Sequence, residues 1–290
     1  MKNQNHYSFK FLLAIAAFLF LALSPAALAQ APSLGTASGF AALGGTAVTC
    51  TDSDITGNVG VVTAGGFTNT RCLFAGSINV GDATAAQAYS DFLSAYASLA
   101  NTPCGPTPPL TGTLAGVTLT PGVYCFTAAA ALTGTLTLDA QGDPNAVFIF
   151  KIGTGGTGAL TGTSFSVVLA NGAAPCNVFW WVSQAATMTT SNFQGVILAG
   201  ADITVTGGTF NGDALAGGTG STSAPTGAVT LTGSTSISCA GGTGGHLRKR
   251  CNQGVGNGPE GCDPGNSNNH NSSNDENGGT PGDPGRQGKK

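Results

Sequence analysis

The sequence predicts a mainly β protein: a β-solenoid with one long helix, followed by a disordered C-terminal tail. Three observations support this fold class. Short apolar runs alternate with segments of Thr, Gly and Ser, a threonine-rich phrase recurs along the chain, and one segment has helical periodicity. Glycine makes up 46 of 290 residues, and charged residues are 8% of the chain, against about 25% in an average soluble domain. This composition suits a β structure with a nearly uncharged surface.

The N-terminus, residues 1–29, has the pattern of a secretory signal peptide. Lys2 and Lys10 precede the apolar run Phe11–Leu23, which is too short to span a hydrocarbon core of ~30 Å as a helix. The small residues Ala27 and Ala29 then indicate cleavage after Ala29. We expect a secreted, extracellular protein that is associated at most with a cell surface and has no membrane segment after cleavage.

The cysteines fit an oxidising compartment, because an even number in an exported chain indicates disulfide bonds. No CxxC pair occurs, which argues against a zinc or thioredoxin-like site. Closeness in sequence pairs six of the eight and leaves the other two as a fourth pair: Cys50–Cys72, Cys104–Cys125 and Cys251–Cys262, then Cys176–Cys239.

The mature chain divides into a folded domain at 30–239 and a tail at 240–290. The tail is rich in Gly, Asn, Pro and Ser and has too little apolar content to bury a core, so we expect disorder. Asp263, Asn266 and Asn268 suggest a calcium loop, but the EF-hand order and its closing Glu are missing.

One segment of the domain, from Asp82 to Ala100, predicts a helix. Its apolar residues recur at intervals of three and four and form one stripe that would pack on a sheet. Asp82 can cap the N-terminus, and Asn101, Thr102 and Pro103 stop the far end. The stripe consists of Tyr89, Phe92, Leu93, Tyr96 and Leu99.

The rest of the domain predicts short strands, including Val147–Phe150, Val167–Leu169, Val178–Trp181 and Val196–Leu198. A phrase beginning at Thr187 aligns with phrases beginning at Thr204 and Thr230, and weaker copies contain Leu160-Thr161 and Leu132-Thr133. Between the aligned threonines 161, 189, 206 and 232 the steps are 28, 17 and 26 residues. Unequal steps of this size are typical of solenoid coils with insertions.

Because side chains alternate along a strand, one set of this repeat points inward and the other outward. The inward set is Leu160, Met188, Val205 and Leu231. The outward threonines would form a regular array of methyls and hydroxyls, stiff at χ1 before any ligand arrives. Such a surface has no charge and no acid or base, but it can order water, which makes it a plausible template for ice. The candidate ice-binding residues are Thr161, Thr187, Thr189, Asn192, Thr204, Thr206, Thr209, Thr230, Thr232 and Thr235.

From about Leu34 to Cys239 the chain resembles the microbial ice-binding protein family. The resemblance rests on Leu34–Ala41, Ile55–Gly60, Pro121–Tyr124, Cys176–Trp180 and, above all, the run Leu132–Phe150. It implies a secreted, right-handed, discontinuous β-solenoid with three sheet faces and a long helix along one of them. In active members a flat face carries Thr-(Ala/Gly)-x-(Thr/Asn). Thr206–Thr209 and Thr232–Thr235 match that pattern, whereas Thr190 and Ser164 depart from it in two other copies.

The charge distribution excludes several classes of function. Residues 32–239 contain two basic residues, Arg71 and Lys151, eight Asp, no Glu and no His. This excludes His-based catalysis and argues against nucleic acid as a partner. We expect a monomer that binds ice or ordered water, needs no cofactor and is not an enzyme.

Two alternatives stay open from the sequence. An enzyme would need clustered carboxylates, for which Asp52/Asp54 and Asp139/Asp143 are the close pairs. A surface adhesin could use Phe179, Trp180 and Trp181 as an aromatic platform, although part of an apolar run of this kind is normally core.

Overall fold

A computed structural model describes residues 29–239. Several features predicted from the sequence therefore lie outside the described residues. These are the signal peptide up to residue 28, the tail from residue 240, the calcium-loop candidates, and the pair Cys251–Cys262.

The described chain is mainly β, with parallel strands and one long helix, as the sequence predicts. Short 3-10 turns occupy Gly35–Gly39 and Pro175–Asn177, and the helix α1 covers Ala83–Asn101. The strands in chain order are β1 (Phe40–Gly44), β2 (Ala47–Thr51), β3 (Asp54–Thr56), β4 (Asn58–Val61), β5 (Phe67–Thr70), β6 (Leu73–Ala75), β7 (Ile78–Val80), β8 (Val117–Leu119), β9 (Gly122–Phe126), β10 (Ala130–Asp139), β11 (Phe148–Ile152), β12 (Leu160–Ala170), β13 (Val178–Val182), β14 (Ala186–Gln194), β15 (Val196–Ala199), β16 (Ile203–Asn211), β17 (Ala214–Ala216), β18 (Ala228–Thr232) and β19 (Thr235–Ile237).

The strands form two sheets whose order departs from chain order. The helix-side sheet runs β7-β4-β1-β17-β15-β13-β11-β9. The outer sheet runs β5-β2-β18-β16-β14-β12-β10-β8, and its second row places β19 between β16 and β3, with β6 beyond β3. The C-terminal strands thus lie directly beside the N-terminal ones: Ala228 pairs with Ala47 and Thr235 with Asp54.

The outer sheet turns a corner in the middle of each repeat, at a residue with left-handed backbone. In β14 this residue is Thr190, with φ 45°, and in β16 it is Gly207, with φ 64°. The side-chain alternation breaks at the same point: Met188 and Ser191 are buried while Thr189 and Thr190 face outward. Each coil therefore presents one row of the sheet before the corner and a second row after it. The other left-handed corner residues are Asp52, Arg71, Gly134, Ser164 and Gly233.

The helix begins and ends close to the predicted limits. Asp82 Oδ1 accepts a hydrogen bond from the amide of Ala85, as expected of an N-cap. At the other end, the ammonium of Lys151 donates to the carbonyls of Ala100 and Thr102. Of the predicted stripe, Leu93 is half-buried and the other four residues, Tyr89, Phe92, Tyr96 and Leu99, are buried.

Two apolar clusters hold the domain together. One fills the space between the sheets and includes Trp180, stacked on Phe150 with ring centroids 3.9 Å apart. The other lies between the helix and its sheet and includes Phe179 and Trp181. Every coil contributes to the first cluster, so the position of the outer sheet is fixed by a continuous core.

Two of the predicted disulfides are formed, Cys50–Cys72 and Cys104–Cys125. The prediction of a Cys176–Cys239 bond was wrong for this structure, in which both thiols are free. The Cys176 thiol instead donates to the backbone carbonyl of Cys239, at 2.9 Å. Asp213 is buried next to this pair and accepts from the Ser238 hydroxyl and the Cys239 amide.

Candidate functional site

Two straight ladders of threonine cover the row of the outer sheet that precedes the corner. Each ladder takes one outward residue from each of six neighbouring strands, and none of the twelve is buried. We call these residues the threonine array. The first ladder is Thr68, Thr49, Thr230, Thr204, Thr187 and Thr161, and the second is Thr70, Thr51, Thr232, Thr206, Thr189 and Thr163.

The dimensions of the array follow from sheet geometry. Neighbouring strands lie ~4.8 Å apart, and residues two apart on one strand are separated by ~6.6 Å. Six strands therefore give a surface about 24 Å long and two threonines wide. Its floor is the inward ladder of Met188, Val205 and Leu231, each at most 2% exposed. Because β-branched side chains have few χ1 rotamers, the array is ordered without a ligand.

The alignment of the three main repeats is confirmed by the strand register. Thr187 pairs with Thr204 and Thr204 with Thr230, and the threonines two positions later pair in the same way. The residues after the corner also correspond, since Asn192 pairs with Thr209 and Thr209 with Thr235.

The alignment of the weaker repeat was wrong by two residues. Thr161 pairs with Thr187 rather than Thr189, and Thr163 is the partner of Thr189. Leu160 is buried as predicted, but it pairs with Ala186, and Gly162 lies beside Met188. A Cβ on Gly162 would come within 2.7 Å of the Met188 sulfur, so the bulk of Met188 fills the space that the glycine leaves.

Sequence reasoning missed five members of the array: Thr49, Thr51, Thr68, Thr70 and Thr163. The sequence contained a repeat that could have identified two of them, Thr49 and Thr51. The segment 47–51 reads AVTCT and the segment 228–232 reads AVTLT, and the structure pairs them residue by residue. Cys50 takes the inward position of Leu231, so the substitution obscured a repeat whose outward residues are identical.

The predicted residues Asn192, Thr209 and Thr235 lie on the row after the corner and are therefore not part of the array. Thr209 Oγ1 donates to Asn192 Oδ1 at 2.8 Å, and Asn211 donates to Gln194 at 3.0 Å. These side chains hydrogen-bond along the sheet. Within residues 29–239, by contrast, none of the twelve array hydroxyls bonds to a protein group, which leaves them free for water.

Thr190, which departs from the family pattern, lies at the corner itself and is not part of the array. Its methyl would be 3.4 Å from a Cβ placed on Gly207 of the next coil. The buried hydroxyl of the following residue, Ser191, donates to the carbonyl of Thr189 and accepts from the amide of Phe165. Ser53 plays the same part after β2, donating to the carbonyl of Thr51 and accepting from the amide of Ser234. These serines satisfy the backbone at the turn and fix the edge of the array.

The array carries no charge, and an ion pair lies at one end of its edge. Arg71 and Asp52, both at corner positions, form two hydrogen bonds of 2.6 Å. The hydrogen bonds from Arg71 lower the pKa of Asp52. Both groups are solvent-exposed, and such pairs contribute little to stability. The two charges therefore lie at the corner, next to the array but not within it.

The three aromatic residues and the Asp139/Asp143 pair named for the alternatives have structural roles. Phe179, Trp180 and Trp181 are all buried, at 3%, 0% and 9% exposure, so an exposed aromatic platform is absent there. Asp139 and Asp143 each accept a hydrogen bond from the backbone amide two residues later, which identifies them as turn residues. Within residues 29–239 no cluster of His, Cys, Asp or Glu could hold a metal ion, and no helix is long and apolar enough to cross a membrane.

Comparison with known proteins gives consistent matches. A family model described as Ice-binding-like matches residues 42–237. An ice-binding protein of Nostoc sp. (strain HG1) is 48% identical over 179 residues, covering 60% of this chain and 64% of the relative, so the chain spans less than two thirds of that protein's length.

Solved structures agree with this match. A crystal structure of an ice binding protein from an Antarctic biological consortium superposes with a TM-score of 0.66 at 34% identity, covering 73% of this chain and 92% of the other. The ice-binding protein of the Antarctic ascomycete Antarctomyces psychrotrophicus gives 0.64 at 34% identity, covering 71% and 98%.

Proposed function

Since the chain belongs to the Ice-binding-like family, we propose that it binds ice through the threonine array and slows ice growth or recrystallisation. The observation that carries the proposal is the pair of aligned six-threonine ladders with unbonded hydroxyls. The relatives named as ice-binding proteins support it.

The array suits a solid surface of water better than a dissolved ligand. It offers neither a cavity nor a charge, so it cannot enclose a small molecule in the way that binding pockets do. Its methyl groups constrain neighbouring water and its hydroxyls hydrogen-bond that water at fixed spacing. Because the side chains are already ordered, adsorption costs little conformational entropy. An adsorbed protein would then force the ice front to curve between anchoring points, which opposes further growth.

Three further features belong to the same proposal. The protein is a secreted monomer whose domain is a right-handed, discontinuous β-solenoid, with the helix along one face. It acts without catalysis and without a cofactor, because adsorption changes no covalent bond. Asn192, Thr209 and Thr235 flank the array beyond the corner and are its secondary contacts.

The test is inhibition of ice recrystallisation by residues 30–290, compared with a Thr206→Tyr, Thr232→Tyr double variant. These threonines are neighbours in the middle of the second ladder. Two tyrosines there would hold the ice front away from the surrounding hydroxyls. We expect the concentration needed for inhibition to rise by about tenfold or more, equivalent to ~1.4 kcal/mol of adsorption free energy.

A matched control places the same substitutions on the other row of the sheet, as Thr118→Tyr and Thr137→Tyr. These threonines pair with each other after the corner, on a different ladder from Asn192, Thr209 and Thr235. Circular dichroism and thermal unfolding would show that each variant is folded. Equal loss in the array variant and the control would contradict the assignment of the site. No inhibition by folded wild-type protein would contradict the function and favour an adhesin on the same scaffold.

A further inference from the structure

Strands β5, β6 and β7 form the terminal coil of the domain, residues 67–80. Each has a neighbour on one side, since β5 pairs with β2, β6 with β3 and β7 with β4. Within the part of the chain that the structure describes, no strand pairs with their other edges. At the opposite end of the domain the edge of β9 is covered, because the Cys125 carbonyl accepts from the Leu110 amide. The terminal coil is therefore held from one side.

The terminal coil carries the last rung of the threonine array, Thr68 and Thr70 of β5. In the two strands next to it, the residue between the outward threonines is buried in the core, as Cys50 is in β2 and Leu231 in β18. In β5 this residue is Asn69, which pairs with Cys50 and is exposed. The last rung therefore lacks the buried anchor that holds the rungs of β2 and β18.

Apolar contacts are sparse elsewhere in the terminal coil. Phe67 and Phe74 are half-buried and meet edge to face, with ring centroids 5.7 Å apart. Leu73 and Ile78 are 70% and 44% exposed. Segments with few buried apolar contacts open at a lower cost in free energy than the core of a domain. We therefore expect the terminal coil to open before the inner coils unless another restraint holds it.

The Cys50–Cys72 disulfide supplies such a restraint, two residues along the chain from Thr70. Cys72 is buried at the position that Ser53 and Ser234 occupy in the two neighbouring coils. Its sulfur accepts from the Ser53 amide at 3.3 Å, and the disulfide joins it to the inward position of β2. One covalent bond thus takes the place of both the missing buried anchor and the missing serine at the corner.

We propose that the Cys50–Cys72 disulfide is a positioning clamp, which keeps the terminal coil closed and so holds the last rung in the threonine array. This inference rests on the proposed function. The sulfurs are buried and do not contact ice, so they act through the threonines of β5. The Arg71–Asp52 ion pair joins the same two coils, but both groups are exposed and such pairs contribute little. The array therefore has six rungs with the disulfide and five without it.

The second disulfide, Cys104–Cys125, provides a matched control. Its cysteines are 21 residues apart, against 22 for Cys50 and Cys72, so both bonds restrict the unfolded chain to nearly the same extent. Neither Cys104 nor Cys125 lies in a strand of the array. The test compares Cys50→Val, Cys72→Ala with Cys104→Ala, Cys125→Val in residues 30–290. Valine fills the more deeply buried position of each pair.

Hydrogen exchange read by mass spectrometry measures whether the terminal coil opens. We expect loss of the Cys50–Cys72 bond to speed exchange of the terminal-coil amides by about tenfold or more, while β14 and β16 keep their protection. The control should leave the terminal coil at its wild-type rate, although both variants should have lower melting temperatures. Wild-type protection of the terminal coil in the Cys50→Val, Cys72→Ala variant would overturn the proposal. So would its global unfolding beside a folded control, because the bond would then hold the whole domain.

Ice recrystallisation inhibition measures whether the last rung is used. We expect the concentration needed for inhibition to rise about twofold or more without the Cys50–Cys72 bond, and to be unchanged in the control. Thr68→Tyr, Thr70→Tyr should weaken inhibition in the wild-type background. The same tyrosines should add little in the Cys50→Val, Cys72→Ala background, because the rung has already left the surface. An equal added loss in both backgrounds would mean that the rung stays in place without the disulfide.

The tyrosine pair is also an independent test, because its two positions are exposed and do not depend on the cysteine variants. If Thr68→Tyr, Thr70→Tyr leaves inhibition unchanged in the wild-type background, the last rung is not used and the proposal fails. If wild-type protein does not inhibit recrystallisation at all, the proposed function fails. The exchange rates then still decide whether the disulfide holds the terminal coil.

Discussion

At the scale of single residues, Thr190 combines a β-branched side chain with left-handed backbone. Its φ of 45° contrasts with the glycine found at the same corner in the next coil, Gly207. Left-handed backbone costs roughly 1–2 kcal/mol for a residue with a Cβ. Glycine avoids that cost, but it loses roughly 0.5–1 kcal/mol through the greater freedom of the unfolded chain. We therefore expect Thr190→Gly to stabilise the domain by about 0.5–1 kcal/mol.

Thermal unfolding checks this expectation, since about 1 kcal/mol corresponds to ~2–4 °C in a domain of this size. Thr189→Gly is the matched control. It lies one residue earlier, on the array and outside the left-handed region, so the substitution can only destabilise. A lower melting temperature for Thr190→Gly than for wild type would show that the corner needs the threonine side chain.

Asp213 predicts a pH dependence of stability. Burial raises its pKa to about 7, well above the usual value of 3.8. The folded state then holds a proton that the unfolded state releases, so this contribution is present below pH ~4 and lost as the pH rises to about 7. Hydrogen bonds instead lower the pKa values of Asp82, Asp91 and Asp139, and their contribution is lost as the pH falls below 3.8. We expect the highest melting temperature near pH ~4.

Substituting Asp213→Asn removes the titrating group and should flatten the melting temperature between about pH 4 and pH 7. The test compares the slopes of melting temperature against pH. A general loss of stability in the variant therefore does not affect it. Parallel pH profiles for wild type and Asp213→Asn would show that the carboxyl is not responsible.

At the scale of elements, the Tyr89 hydroxyl joins the helix to a distant loop by hydrogen bonds. Tyr89 donates to the carbonyl of Gly217 at 2.8 Å and accepts from the amide of Thr226 at 3.1 Å. Tyr89→Phe keeps the ring in its buried site but leaves both backbone groups without this partner. We expect a loss of about 1–2 kcal/mol in the free energy of unfolding, measured by chemical denaturation.

Ser94→Ala is a suitable comparison for Tyr89→Phe. Its exposed hydroxyl bonds only the Ser90 carbonyl within the same helix, so the change should stay within about 0.5 kcal/mol. Similar small losses in both variants would mean that the loop is held by other contacts. Neither substitution touches the outer sheet, and ice recrystallisation inhibition should be unchanged in both.

Local patterns made the helix and the three main threonine repeats predictable. The helix follows from its apolar periodicity and the Asp82 cap, and the repeats follow from the Thr-x-Thr phrase that recurs at 187, 204 and 230. The weaker repeat was misread by two residues because LTGTS contains two threonines, and its register depends on Gly162 facing Met188. Which threonine of such a segment pairs with a neighbour is decided by packing across coils. A single sequence contains no direct record of that packing.

At the scale of the whole molecule, chain order concealed one end of the array. The strands β2 and β5 come early in the chain, yet they continue the ladders of β16 and β18. Thr49 and its partner Thr230 come from opposite ends of the domain and are joined only by a long connection. No regular spacing along the sequence therefore indicates that they are neighbours. The corner could not be predicted either, because the sequence around it has the pattern of a continuous strand. The corner nevertheless places Thr189 and Asn192 on different rows of the sheet.

The last two strands close the molecule, and this position predicts where the chain can be shortened. Strand β18 pairs with β16 on one side and β2 on the other, and β19 joins β16 to β3 in the same way. A chain ending at Cys239 keeps both strands and should unfold cooperatively, with undiminished inhibition of ice recrystallisation. A chain ending at Gly227 loses Thr230 and Thr232, splits the array and exposes the edges of β2 and β16. We expect that chain to aggregate or to lose cooperative unfolding, as judged by calorimetry and size-exclusion chromatography. A stable, inhibitory product from the shorter chain would mean that β2 can pair with β16 directly and that the closing strands are dispensable.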